Sequence, residues 1–84
     1  MRITVTVFKT GLQLESDLSR ETRRLQRSKG LGYKAACAQA EANLDPVHYT
    51  QVINTDSEEL LKNDALHTLG QHIANGAPFE IERE

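Results

Sequence analysis

At 84 residues the chain is too short to split into independently folding halves, so a single domain over residues 1–84 is expected. With 38% apolar residues, no tryptophan, two phenylalanines and two tyrosines, its core must be built mainly from Leu, Ile, Val and Ala, a thin core that makes a homodimer a sensible expectation. The single cysteine excludes an internal disulfide, and no run approaches the roughly 18 apolar residues of a membrane span.

The formal charge of −2 conceals an asymmetry. Residues 1–44 hold eight Lys or Arg against four Asp or Glu, whereas residues 45–84 hold two against eight. A basic half of that kind suits a polyanion or an acidic protein surface, and the acidic half suits a basic partner or simple solubility. The first residues enter a strand-like pattern directly, without the apolar core of a signal peptide, so a cytoplasmic protein is expected.

In chain order, Arg2 to Val7 alternate polar and β-branched apolar residues, which places Ile3, Val5 and Val7 on one face of a strand. Thr10 with Gln13 forms a capping box for a helix running to about Lys29. On that helix Leu14, Leu18, Thr22 and Leu25 share one face, and Arg20, Arg23, Arg24 and Arg27 share the opposite one. Gly30-Leu31-Gly32 breaks it, and an Ala-rich second helix follows from Tyr33 to about Leu44. Asp45-Pro46 reads as a cap followed by proline at the first helical position, predicting a short helix through about Ile53, with a strand over Val47 to Ile53 as the alternative. Thr55 with Glu58, or Asp56 with Glu59, caps a further helix to about Asn75, carrying Leu61, Ala65, Leu66, Leu69 and Ile73 on one stripe. Asn75-Gly76 and Pro78 stop it, and the alternating tail Phe79 to Glu82 is placed to pair with the first strand. The expected fold is α+β, an N-terminal strand followed by three or four helices and a short C-terminal strand.

No motif for catalysis emerges. His67 and His72, five apart on a helix, point about 140° from each other and do not chelate a metal together. No glycine-rich phosphate loop follows a strand, and no nucleophile sits in a strained turn. A non-enzymatic protein with no cofactor and no small-molecule substrate is expected. The features left recognise surfaces. The four arginines suit phosphates, unless they serve only as a solvated face with pairs such as Glu21 with Arg24. Tyr33 and Lys34 open the second helix, where backbone amides attract anions.

The first 44 residues, a strand Arg-Ile-Thr-Val-Thr-Val, a helix, a glycine turn and a helix opening Gly-Leu-Gly-Tyr-Lys, resemble the ribbon-helix-helix (MetJ/Arc-like) DNA-binding family. The resemblance implies that two such strands pair across a dimer and enter the major groove, with Arg2, Thr4 and Thr6 reading bases and the amides near Tyr33 and Lys34 gripping phosphate. It implies a small DNA-binding regulator or antitoxin-like protein of a phage or plasmid. The alternative is a phage- or plasmid-borne inhibitor that binds a host protein through acidic residues such as Glu58, Glu59 and Asp64 and imitates nucleic acid. The expected partners are thus duplex DNA or a host protein.

Overall fold

The computed structural model describes all residues, Met1–Glu84. Its elements are β1 (Arg2–Phe8), α1 (Gly11–Lys29), α2 (Tyr33–Ala42), β2 (Val47–Asn54), α3 (Asn63–Ala74) and β3 (Phe79–Arg83). The fold is mixed α+β, with a strand near each end of the chain, and no helix is long and apolar enough to cross a membrane. Two compact units are formed, Met1–Lys9 with Val47–Glu84, and Thr10–Pro46.

In the first unit, the alternation of β1 buries Ile3, Val5 and Val7 almost completely. The strand lies in the centre of a three-stranded antiparallel sheet of order β2-β1-β3. Helix α3 covers the apolar face with Leu66 and Ala74, and Ile53, Leu61, Ile73, Phe79 and Ile81 pack around them. The tail pairs with β1 as its alternation predicted, from Ile3 opposite Arg83 to Val7 opposite Phe79. Asn75 and Gly76 both adopt positive φ, 48° and 88°, ending α3 where the sequence places its stop.

Three expectations are corrected here. The helix predicted after Asp45-Pro46 is the strand β2, giving three helices in all. Its Val, Tyr, Thr, Val and Ile favour a pleated surface, and the open edge of β1 supplies a continuous ladder that outweighs the local capping signal. The last helix begins at Asn63, because the Thr55 hydroxyl accepts the Ser57 amide at 3.0 Å in an i to i+2 turn that diverts it from capping. The cross-dimer ribbon implied by the family resemblance has no edge on which to form, since both edges of β1 are hydrogen-bonded within the chain.

In the second unit, the Thr10 capping box forms as expected. The Thr10 side chain accepts the Gln13 amide at 3.3 Å, and the Gln13 side chain accepts the Thr10 amide at 2.8 Å. Gly30 closes α1 in the left-handed conformation, with φ 63°. The two helices meet at Leu25, Ala36 and Ala40, all fully buried, with Leu18 and Leu31 beside them. Alanines at the contact let the helix backbones approach closely, which concentrates much of the contact on one large side chain, Leu25. The buried Thr22 hydroxyl donates to the Leu18 carbonyl at 2.8 Å, so it brings no unsatisfied polar group into the contact.

Candidate functional site

The face of α1 opposite its buried residues carries the densest positive charge. Arg20, Arg23, Arg24 and Arg27 line one open trough together with Ser16, Ser19 and Ser28. These positions recur every three or four residues, so the helical period itself draws them into one stripe about 18 Å long at 1.5 Å per residue. All seven side chains are exposed.

The stripe is not uniform. The Glu21 carboxylate accepts Arg24 Nε at 3.0 Å and a second bond from the same guanidinium, a two-pronged pair. Hydrogen bonding from Arg24, opposed in part by desolvation, holds the Glu21 carboxyl below its ordinary value and pushes the guanidinium up in turn. Ser28 directs its hydroxyl proton to the Arg24 carbonyl at 2.6 Å. Arg20, Arg23 and Arg27 therefore present the outward guanidinium groups, with Ser16 and Ser19 as hydroxyl partners.

Tyr33 joins this surface. It lines a smaller recess with Leu18, Thr22, Gln26 and Cys37, and Ser19 and Arg23 line both the recess and the trough. The neighbouring Cys37 thiol, one helical turn on, pushes the Tyr33 phenol above its ordinary value. Tyr33 is nonetheless 69% exposed, so an aromatic face lies beside the arginine stripe. Lys34 is exposed in the first turn of α2, whose cap Gly32 makes no side-chain hydrogen bond to the leading amides. The sequence does not connect Tyr33 with Arg23. The only trace of that link is the i, i+4 spacing of Tyr33 and Cys37, which aims the ring along α2.

Arg2, Thr4 and Thr6 lie together on the sheet face opposite the core, as their alternation requires. Their surroundings are acidic. Thr4 stands opposite Glu82 and Thr6 opposite Glu80, and the Arg2 guanidinium is hydrogen-bonded to Glu84. Three carboxylates against one engaged arginine repel phosphate, so the strand residues and the α1 arginines do not share one electrostatic character.

Glu58 and Glu59 lie exposed in the turn before α3, and Asp64 lies exposed in its first helical turn. The three are close in the chain and all favour solvent. Asp64 also faces the amide end of the helix, where a negative charge is favourable. Overall, the unit containing the sheet holds four basic against seven acidic side chains, and the helical unit six against five. The charge asymmetry along the sequence is weaker in three dimensions, because Arg2 and Lys9 fold with the acidic half. What remains basic is one face of α1. Compared with known proteins, the chain matches no family model, no curated protein and no solved structure.

Proposed function

We propose that this chain binds duplex nucleic acid through the arginine face of α1, acting in the cytoplasm as a small non-enzymatic regulator. The observation that carries the reading is the gathering of Arg20, Arg23, Arg24 and Arg27 with two outward serines along a single helix face. Guanidinium groups in a row match the repeating phosphates of a polyanion, and the flanking Tyr33 offers a surface for sugar or base contact. The strand residues Arg2, Thr4 and Thr6 have no part in this reading, because Glu80, Glu82 and Glu84 surround them.

The test is duplex binding measured across a salt series. The three outward arginines, Arg20, Arg23 and Arg27, displacing counterions give a slope of log affinity against log salt of roughly −2 to −3. Replacing Arg20, Arg23 and Arg27 by Ala together reduces binding at low salt to background while circular dichroism keeps its helical signal. Duplex binding that survives this triple change, or no binding at low salt, sinks the reading.

A second reading, an inhibitor that presents an acidic surface to a basic protein, is favoured by the seven-to-four excess of acidic side chains in the sheet unit. Charge reversal at Glu58, Glu59 and Asp64 then weakens capture of that protein and leaves duplex binding unchanged.

A further inference from the structure

We infer that β2 is a self-pairing edge, and that two copies of this chain join β2 to β2 in antiparallel fashion about a twofold axis at Gln51, making one six-stranded sheet. The inference is independent of the nucleic-acid reading, since it uses none of the arginines.

The ladder of β1 and β2 defines which backbone groups are open. Thr55 donates to the Met1 carbonyl at 3.0 Å, which marks the Met1 and Thr55 pair as hydrogen-bonded. By antiparallel alternation the Ile3–Ile53, Val5–Gln51 and Val7–Tyr49 pairs are then hydrogen-bonded too. Thr50, Val52 and Asn54 consequently turn their N–H and C=O groups away from β1, along an edge where no further strand lies.

The two edges of the sheet differ in protection. Strand β3 begins after Pro78 and carries Glu80, Glu82 and Arg83, the charged and proline residues that ordinarily discourage edge pairing. Strand β2 is Val-His-Tyr-Thr-Gln-Val-Ile-Asn, eight residues with no Lys, Arg, Asp, Glu or Pro, and it is the one element of the chain without a formal charge. Its only irregularity is the register shift near Val47, away from the central residues. Residues 48–52 are all exposed, including Tyr49 and Val52.

A second copy is the occupant this pattern fits. The sheet unit carries an acidic excess, so two copies repel unless they meet where no charges face each other, and β2 is that place. With the axis at Gln51, Thr50 lies opposite Val52 of the other copy, Tyr49 opposite Ile53, and Gln51 opposite itself. The β-branched and aromatic–aliphatic pairs are favourable cross-strand partners, and the two amides can hydrogen-bond. Tyr49 and Ile53 lie on the face covered by α3, where the Tyr49 hydroxyl already donates to the Ile73 carbonyl, so the new pairs extend the existing core.

Light scattering on the intact chain, without nucleic acid, reads the assembly. The expected mass is twice the 9.4 kDa chain. Val52→Pro removes an outward N–H without removing a β1–β2 bond and gives a monomer, and Val52→Lys repeats the result if proline disturbs folding. The register is read separately, in a Cys37→Ala background. Opposed residues of a non-hydrogen-bonded pair stand about 4.5 Å apart at Cα, within disulfide range. Gln51→Cys therefore crosslinks on mild oxidation, whereas Thr50→Cys does not. A wild-type monomer at high concentration overturns the inference and leaves the edge to an extended segment of another protein. A dimer that both Val52 variants retain overturns it as well, and crosslinking at Thr50→Cys in preference to Gln51→Cys overturns the axis.

Discussion

The ring of Phe79 in β3 occupies the space that a Cβ at Gly70 of α3 would need. A glycine in mid-helix is intrinsically unfavourable by about 1 kcal/mol relative to alanine, so its presence here follows from packing, which lets the helix settle onto the edge of the sheet beside the aromatic side chain.

Gly70→Ala is expected to destabilise the chain by about 1–3 kcal/mol in spite of its better helix propensity, because the ring or the helix must move. Phe79→Leu, which shortens the obstacle, lowers the cost of the alanine. A double-mutant cycle in urea checks this through a coupling energy of at least about 0.5 kcal/mol between the two sites. Additive effects would show that the close approach of ring and glycine has no energetic consequence.

Gly30 and Gly32, alike in sequence as helix breakers, are predicted to respond with opposite signs. Gly30 sits at φ 63°, where any side chain is strained, and Gly30→Ala costs about 1 kcal/mol. Gly32 sits at φ −65° and ψ 161° as a cap without a side-chain hydrogen bond, and nothing lies within 4 Å of an added Cβ. Gly32→Ser supplies the missing acceptor and reduces the freedom of the unfolded chain, a gain of about 0.5 kcal/mol. Thermal melts of the two variants should move in opposite directions.

These cases show which parts of the fold local sequence could announce. Thr10 with Gln13, Asn75 with Gly76 and the alternation from Ile3 to Val7 are short-range signals, and each forms the structure it predicts. Asp45-Pro46 is an equally good local signal that fails, because the outcome for Val47 to Asn54 depends on the open edge of β1 some forty residues earlier. Thr55 fails for a different reason, its hydroxyl having a nearer amide at Ser57 to satisfy. The arginine face of α1 was legible because helical period alone creates it. The acidic surroundings of Arg2, Thr4 and Thr6 were not, since Glu80, Glu82 and Glu84 reach them only through the pairing of β1 with β3.

Acid is predicted to weaken the helical unit through Glu21. Its carboxyl is held below the ordinary value of 4.5 chiefly by the bond from Arg24, so the folded chain binds this proton less readily than the unfolded chain does. The stabilisation is therefore complete above the ordinary carboxylate range and is lost as pH falls through the lowered folded value. The side chain is only half-buried and its partner Arg24 is exposed, so the effect is small and screened by salt. Glu21→Gln should flatten that part of the acid limb in thermal melts, and an unchanged limb would show the pair contributes no measurable stability.

On the proposed function, the same pair is an adjustable element of the nucleic-acid surface. Glu21 engages Arg24 on the edge of the trough, adding a negative charge beside the arginines and holding one of them away from incoming phosphate. Glu21→Gln removes that charge and releases Arg24, so duplex affinity at low salt should rise several-fold and the salt slope should steepen by about 1, the increment for one more phosphate neutralised. Arg24→Ala should weaken binding less than Arg23→Ala, because Arg24 starts from an internal ion pair whereas Arg23 stands in both the trough and the Tyr33 recess. The reverse order, with Arg24 the more sensitive, would mean that the Glu21 pair orients the guanidinium for phosphate, and Glu21→Gln would then reduce affinity. Titrations of the three variants over the same salt series distinguish the two arrangements.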